Sequence, residues 1–378
     1  MSREEWVIHL IEQTSVASVV KHQRRLVSYI IEETRFLGEL EERMEQNERQ
    51  NNSPFASFTE LELIYYYINK RNHMDRDKSP ETKEEYARDL LQFYGQLQLN
   101  KTFIQSDVVD FEEEAAFRNL RKRHIRRYQA WLKEDKQYAI ATRARKVIVI
   151  KGFLKWLFEN DYMTEPLHQA FINNEVRFIE RPNRDLSYRE VRSLLDYYKN
   201  HAINFAILSL LTTTGLRVRE IANAQWNDLY YDSHDDFYYL KVITKGKKER
   251  EAIIFDNVFE RIQAFRKRRR VNPELDPHDD GPVLMTNTNQ PYHYKYLSQY
   301  VTRIIQNSKL PFLSYKVGNV TPHWFRHFFA IYSLQQGASV AYIQQTLGHE
   351  DIRTTQIYLD RGLKKKNNVA RLWSEDKF

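Results

Sequence analysis

Apolar side chains recur at helical spacing through most of this sequence, and one short stretch departs from that pattern. In the clearest example, successive apolar residues are four, three, one and three positions apart: Tyr86, Leu90, Phe93, Tyr94 and Leu97. Residues 237–243 and 251–255 are instead strand-like, and they flank a turn, 244–248, that contains a glycine. The sequence therefore predicts a mainly α-helical chain with a small antiparallel β-sheet.

Two breaks in the helical pattern divide the chain into three parts. Ser79 and Pro80 have the residue types of an N-cap and a first helical position. Residues 180–185 are a predicted linker, and Ser187 with Glu190 forms a capping box that begins a new helix directly after it. A single core rarely grows beyond about 250 residues, so several domains are expected in 378. We expect the parts to be 1–75, 76–180 and 186–378.

The composition excludes several classes of function. The chain has no cysteine, so it can form no disulfide, thiolate zinc site or cysteine nucleophile. It has no uncharged apolar run of about 18 residues and no secretory signal, so we expect no membrane partner and a cytoplasmic location. It also lacks a G-x-x-x-x-G-K-[ST] loop and a spaced carboxylate cluster. We therefore expect no cofactor and no metal.

Positive charge is concentrated in the later part of the chain. The net charge is +7, but residues 1–75 carry −4 and the remainder +11. Two basic helical runs, within 118–127 and 143–155, interleave with aromatic and apolar residues. Each run fits a solvated face over a packed core, while two such runs in one helical segment favour phosphate contacts. The candidate contact residues are Arg121, Arg123, Arg126, Arg143, Lys146, Lys151 and Arg268.

Residues 321–326 (TPHWFR) hold a pair of polar residues suited to an anion. Thr321 is a candidate N-cap and Pro322 a candidate first helical residue, which places His323 in the opening turn, where backbone N–H groups favour an anion. Arg326 follows three residues later on the same face. The pair forms a phosphate-sized site. Alternatively, His323 caps the helix and Arg326 pairs with a surface carboxylate.

Four further residues gain meaning from their order. A glycine break places Arg217 at the start of a helix, and Lys245 lies at the tip of the predicted hairpin. Gly348 predicts a helix end, which leaves His349 in a loop. Tyr358, one of 24 tyrosines, follows nine residues later. Each residue is unremarkable alone.

The ordered motifs are G-L-R-x-x-E, K-G-x-K-E-R, T-P-H-x-x-R-H, L-G-H and a tyrosine. This set resembles the tyrosine recombinase, or phage integrase, family over residues about 186–360, with a weaker likeness at 79–93. The resemblance implies a helical core DNA-binding domain at 76–180. It implies a mixed α+β catalytic domain with a C-terminal exchange tail at 186–378, the two domains forming a clamp on DNA. Residues 1–75 lie outside it, and we expect a helical accessory segment there, either for protein interaction or of the arm-type DNA-binding kind.

The family's catalytic set, carried over by position, falls on side chains that all match by type. The six residues are Arg217, Lys245, His323, Arg326, His349 and Tyr358. Glu220 also matches a recurrent family acid, and its implied function is to orient Arg217. Lys247 and Lys248 share the turn with Lys245, so the choice among the three lysines stays open.

These residue types suit the breaking of a DNA phosphodiester by a protein nucleophile. The Tyr358 phenol, with an ordinary pKa of about 10, supplies the attacking oxygen. Arg217 and Arg326 offer forked donors to the two non-bridging phosphate oxygens, a geometry that lysine cannot match. A phosphotyrosine keeps the energy of the broken bond, so resealing needs no ATP.

The remaining candidates would move protons or add hydrogen bonds. His349 can donate to the phosphate, and His323 is placed to take or return the tyrosine proton. Lys245 is the expected acid for the leaving 5′-oxygen. With these residues the arginines replace the electrostatic function that a metal would perform.

The resemblance implies a site-specific recombinase that forms a 3′-phosphotyrosine and passes through a Holliday junction. Its expected partners are double-stranded DNA with specific target sites, three further copies of the chain in a homo-tetramer, and an accessory directionality factor. A mobile element is the expected source. Alternatives with the same fold are a type IB topoisomerase, a telomere resolvase and a DNA-binding architectural protein that does not cleave.

Overall fold

A computed structural model describes the chain in six stretches: 16–32, 36–71, 77–113, 115–172, 185–244 and 248–348. The chain divides into two compact units, Met1–Arg177 and Phe178–Phe378. Both units are mainly helical, and within the described stretches the strands belong to the second. The predicted fold class is confirmed. None of the helices in these stretches is long and apolar enough to cross a membrane.

The first unit consists of helices joined by short connections, with a 3-10 turn at Leu167–Ala170. Its described helices are α1 (Val16–Glu32), α2 (Phe36–Arg49), α3 (Glu60–Asn69), α4 (Pro80–Leu99), α5 (Lys101–Asp107), α6 (Lys122–Glu134) and α7 (Ile140–Glu159).

Helix α4 lies at the centre of this unit and packs against α1, α3, α5 and α7. It begins as the sequence predicts, because Ser79 accepts a hydrogen bond from the Thr82 backbone N–H and Pro80 is the first helical residue. Leu63 of α3 and Phe93 of α4 are both buried in one continuous core. Helices on either side of residue 75 therefore share a core, and the accessory function of residues 1–75 stays a prediction.

The second unit surrounds a small sheet with helices and has 3-10 turns at Trp226–Asp228 and Pro311–Tyr315. Its described helices and strands are α8 (Tyr188–Tyr198), α9 (Ala202–Thr214), α10 (Val218–Asn223), β1 (Leu229–Asp232), β2 (Phe237–Ile243), β3 (Glu249–Ile254), α11 (Asp256–Arg269), α12 (Tyr294–Asn307), α13 (Pro322–Gln335) and α14 (Val340–Leu347).

Helix α9 is the buried centre of the second unit and packs against α8, α11, α13 and β3. The capping box that precedes it is present at the start of α8, since Ser187 and Glu190 each accept the other's backbone N–H. Helix α9 ends at Gly215, whose φ of 60° is left-handed. A Cβ at Gly215 would lie 2.7 Å from Cδ1 of Phe329, so a side chain there would displace the packing against α13.

The sheet has the order β1-β2-β3, and both pairs are antiparallel. Strands β2 and β3 form the predicted hairpin, although β3 begins at Glu249, two residues earlier than predicted. The sequence analysis missed the four-residue strand β1, which pairs Leu229 with Leu240. Leu240 and Ala252 lie on the buried face. Alternation therefore places Arg250, two residues before Ala252, on that same face of β3.

Candidate active site

Arg217 and Glu220 form a closed hydrogen-bonded unit at the start of α10. The Arg217 backbone N–H donates to Oε2 of Glu220 at 2.7 Å, and Nη1 of Arg217 donates to Oε1 at 2.8 Å. The Glu220 carboxylate is buried, whereas the Arg217 side chain is 38% exposed. One buried carboxylate thus fixes both the backbone and the guanidinium of an arginine that solvent can reach.

Arg250 is a second arginine on the same carboxylate, and the sequence analysis gave it no function. Its Nη2 donates to Oε2 of Glu220 at 2.6 Å, and its Nη1 donates to the backbone carbonyl of Thr346 in α14. The side chain is only 11% exposed. Two signals were available in the sequence: Arg250 is the last residue of the K-G-x-K-E-R motif, and the alternation of β3 puts it on the inner face of the sheet.

The two guanidinium groups keep Glu220 ionised. Burial by itself would raise the pKa of this carboxyl. The charge of Arg250, together with the hydrogen bonds and charge of Arg217, outweighs burial and lowers the pKa of Glu220 below its ordinary value. At neutral pH this site therefore contains one buried negative charge between two arginines.

Arg326 connects two motifs that are far apart in the sequence. Its Nη1 donates to the carbonyl of Gly215 at 2.7 Å, and its Nη2 donates to the carbonyl of Leu347. These carbonyls lie at the C-terminal ends of α9 and α14, where a cation is favoured. Arg326 is 2% exposed. The alternative of a surface ion pair is therefore wrong, because these partners of Arg326 are buried backbone groups.

His323 occupies the opening turn of α13, as predicted, with Pro322 as the first helical residue. Thr321 has the N-cap position, although its side chain makes no capping hydrogen bond. His323 is exposed, and its ring packs edge-on against His327 with 4.6 Å between centroids. His323 and Arg326 thus project from successive turns of one helix, the first exposed and the second buried.

The remaining candidates can be placed only in part. Helix α14 ends at Gly348 with a left-handed φ of 62°, as predicted. His349 and Tyr358 follow it and lie outside the described residues, as does Lys245. The structure therefore describes three of the six predicted catalytic residues, and their catalytic functions stay predictions.

A cleft of about 1220 Å³ opens in the second unit beside these motifs. Its lining includes Arg217, Lys248, Arg250, Thr346 and Gly348. The cleft therefore brings together the end of the hairpin, the start of α10 and the end of α14. No group of three or more His, Asp or Glu side chains in the described part of the chain is arranged to hold a metal ion.

The predicted DNA contacts differ in exposure. Arg126 and Arg268 are exposed, while Arg143 and Lys151 are half-buried. Arg123 is exposed and forms an ion pair with Asp107. The half-buried Arg121 donates to the backbone carbonyls of the turn before α6. Their function in DNA binding stays a prediction.

Lys146 requires a correction. It is 7% exposed, and its ammonium donates to Oδ1 of Asp89 and Oε1 of Gln92, each at 2.7 Å. Position 146 lies on the inward face of α7, four and seven residues before the buried Ile150 and Phe153. Because its charge is neutralised inside the first unit, Lys146 is not a DNA contact.

Known proteins are similar to this chain in sequence and in fold. Residues 184–363 match the phage integrase family. Tyrosine recombinase XerC of Leptospira interrogans (serogroup Icterohaemorrhagiae, serovar copenhageni) is 28% identical over 253 residues, which cover 65% of this chain and 76% of the relative. Tyrosine recombinase XerD of Oceanobacillus iheyensis is 28% identical over 310 residues, covering 79% and 92%.

Solved structures agree at the level of the fold. The XerH site-specific recombinase bound to a palindromic difH substrate aligns with a TM-score of 0.61 at 15% identity, covering 93% of this chain and 97% of that one. A lambda integrase dimer bound to a core site aligns with a TM-score of 0.58 at 16% identity, covering 84% and 81%. Residues 184–363 are therefore a domain of the phage integrase family, and the chain is a DNA-binding site-specific recombinase of the tyrosine type.

Proposed function

We propose that this recombinase cleaves each DNA strand with the phenol of Tyr358 and that five further side chains assist: Arg217, Lys245, His323, Arg326 and His349. The observation that carries the proposal is the pair of hydrogen bonds from Arg326 to the carbonyls of Gly215 and Leu347. Gly215 lies two residues before Arg217, and Leu347 lies two residues before His349. One buried side chain thus draws the segments that carry two other candidates to the same place.

In the proposed reaction, the Tyr358 oxygen attacks the scissile phosphorus while the bond to the 5′-oxygen breaks. The phenolic proton passes to His323, and Lys245 gives a proton to the departing 5′-oxygen. A 3′-phosphotyrosine and a free 5′-hydroxyl result. The same steps in reverse, with a 5′-hydroxyl from another duplex, rejoin the strand through a Holliday junction and leave the number of phosphodiester bonds unchanged.

Arg217 is the described residue best suited to the phosphate. Its guanidinium is held by Glu220 before DNA arrives, so little reorganisation accompanies binding. It is also exposed enough to reach a ligand in the cleft. Arg326 adds a second positive charge close by in a buried setting, where charges act more strongly than in water.

The proposal extends to partners and setting. Double-stranded DNA with specific target sites is the substrate, and the exposed Arg126 and Arg268 are proposed phosphate contacts, with Arg121, Arg123, Arg143 and Lys151 as further ones. We propose a homo-tetramer on DNA, since a lambda integrase of the same fold forms a tetramer bound to a Holliday junction. A cytoplasmic location, an accessory directionality factor and a mobile element as the source complete the proposal.

A suicide substrate tests the chemistry. It carries a nick that lets the cleaved fragment diffuse away, so the covalent protein–DNA adduct accumulates. Wild type should trap an adduct that withstands denaturing electrophoresis, and Tyr358→Phe should bind the DNA but trap none. Wild-type protein that binds its target and yields no adduct would contradict the proposal and favour a non-cleaving DNA-binding protein.

A further inference from the structure

We infer that Arg250 is a positioning residue of this active site, which sets Arg217 through Glu220 and fixes the end of α14. The inference rests on the proposed function of Arg217 at the phosphate. Arg250 lies on the inner face of β3, directly after the hairpin turn. It contacts Glu220 of the G-L-R-x-x-E motif and the backbone carbonyl of Thr346, the residue directly before the L-G-H motif.

The contact with Glu220 makes Arg250 part of the support for Arg217. Oε2 of Glu220 accepts both the Arg217 backbone N–H and Nη2 of Arg250, while Oε1 accepts Nη1 of Arg217. The carboxylate is therefore held from two sides. Without Arg250 the carboxylate would keep its bonds to Arg217 but lose one of the two donors to Oε2 and the positive charge beside it, so the guanidinium of Arg217 would be less well oriented.

The contact with α14 links the same arginine to the segment before His349. Nη1 of Arg250 donates to the carbonyl of Thr346, and the next carbonyl, of Leu347, accepts from Arg326. Each arginine also reaches the segment around Arg217: Arg326 through the carbonyl of Gly215 and Arg250 through Glu220. Two guanidinium bridges therefore join the end of α14 to the segment from Gly215 to Glu220.

This geometry needs a guanidinium at position 250. Its two Nη atoms point to different acceptors, Glu220 and the Thr346 carbonyl, and a single lysine ammonium at the end of a flexible chain does not reproduce that fork. Because the charge of Arg250 is paired with the Glu220 carboxylate and the side chain is only 11% exposed, we expect Arg250 to act through Arg217 rather than on the phosphate. Its loss should slow cleavage and leave DNA affinity nearly unchanged.

Adduct formation on the suicide substrate is the measured step, under single-turnover conditions with DNA affinity determined in parallel. We expect Arg250→Met to slow the adduct rate on the order of 10²-fold, as for loss of one preorganised donor, with the dissociation constant changed less than about threefold. Arg250→Lys should recover only part of the rate. Arg261→Met is the matched control, since Arg261 donates to Ser209 Oγ and stacks on Phe205 within the same unit.

Two readouts separate positioning from general destabilisation. A methylphosphonate at the scissile position removes the negative charge that Arg217 is proposed to offset, so both Arg217→Ala and Arg250→Met should recover on it relative to wild type. The double variant Arg217→Ala/Arg250→Met should be no slower than Arg217→Ala alone, because residues that act in series are not additive. Arg261→Met should keep the wild-type rate on both substrates.

An Arg250→Met enzyme that cleaves at the wild-type rate would overturn the inference. So would a slow enzyme that does not recover on the neutral substrate and whose defect adds to that of Arg217→Ala, since that pattern marks a merely structural loss. Failure of the proposed function is distinguishable, because wild-type protein would then form no adduct on either substrate.

Discussion

Glu60 in the first unit and Glu220 in the second are both buried but have opposite environments. Glu60 of α3 is 3% exposed, and its Oε1 accepts the Phe117 backbone N–H at 2.7 Å. Burial raises the pKa of Glu60 to about 8, and the more distant charges of Arg118 and Lys101 do not offset it. Glu220 is 6% exposed, but contact with Arg217 and Arg250 lowers its pKa despite burial.

The comparison shows that neighbouring charged groups, rather than the degree of burial, decide whether a buried carboxyl is ionised and what function it can have. Near neutral pH Glu60 is predominantly protonated, so it fills space and accepts one backbone hydrogen bond in a helical core. Glu220 is ionised at the same pH and can orient a cation that faces the cleft. The same residue type thus serves packing in one unit and the candidate active site in the other.

The largest expected effect concerns Glu60. Its carboxyl ionises near pH 4.5 when unfolded and near 8 when folded. The folded state therefore holds the extra proton between these values, and wild-type stability falls as pH rises through that window. The free energy of unfolding of Glu60→Gln minus that of wild type should therefore increase by up to about 5 kcal/mol between pH 4 and pH 9, because one pKa unit corresponds to about 1.4 kcal/mol. Denaturant unfolding at both pH values measures it.

A matched control separates this effect from the loss of any buried carboxylate. Asp89 is also buried, but Lys146 and Arg145 lie within 2.7 and 2.9 Å of its oxygens. Asp89→Asn should therefore lose stability at pH 9 instead of gaining it. A Glu60→Gln variant without any pH-dependent gain would remove the contrast between the two glutamates.

The second prediction concerns Glu220 and has the opposite sign. Glu220→Gln removes the charge between Arg217 and Arg250, so adduct formation on the suicide substrate should slow by about 10²-fold, comparable to loss of a preorganised donor. Stability at pH 7 should also fall. Because the folded pKa of Glu220 is lowered, its contribution is present above the unfolded value and is lost as pH decreases through the folded one.

Measurement of both properties at pH 7 and under acidic conditions would sharpen the comparison. Wild type and Glu220→Gln should converge in unfolding free energy as the pH falls below about 4, the range of an ordinary glutamate. If Glu220→Gln instead gains stability at pH 9, as expected for Glu60→Gln, then burial dominates at both sites. The orienting function of Glu220 would then be contradicted.

The sequence predicted those features that depend on neighbouring residues. Ser187 and Glu190, the glycine ends of α9 and α14, and Pro322 are local signals, and each lies where local chemistry places it. Two contacts that the sequence analysis did not foresee involve distant partners. Arg250 bonds to a carbonyl 96 residues away, and Lys146 bonds to a carboxylate 57 residues away. Such pairs depend on how elements pack, which no local pattern encodes.

The strand β1 was missed for a related reason. Its four residues, Leu229–Asp232, are too few for alternation to stand out, and its partner β2 supplies the pairing. The turn at Lys245 and the segment with His349 and Tyr358 lie outside the described residues, so their prediction rests on motif order alone. The order of the motifs was enough to identify the family. The contacts by which Glu220 and Arg250 hold Arg217 could be seen only in the structure.

The third prediction concerns Lys146. Its ion pair with Asp89 is a buried charge pair in the first unit, comparable to the pairing of Glu220 with its arginines in the second. Lys146→Met should lower the free energy of unfolding by about 2 kcal/mol, less than the 3–5 kcal/mol typical of a broken buried pair, since Arg145 still contacts Asp89. Non-specific DNA affinity and its dependence on salt should not change. A reduced salt dependence in a fully folded Lys146→Met protein would show that this ammonium reaches phosphate after all.

The smallest expected effect belongs to Arg126, the exposed counterpart of Lys146. Arg126 lies on the solvent side of α6, so Arg126→Ala should leave the free energy of unfolding within about 0.5 kcal/mol of wild type. If it contacts a phosphate, DNA affinity should fall a few-fold for every sequence, and the slope of log affinity against log salt should decrease by about one. Titrations at several salt concentrations measure that slope. An unchanged slope would show that Arg126 does not contact a phosphate, and therefore that exposure alone does not identify a DNA contact.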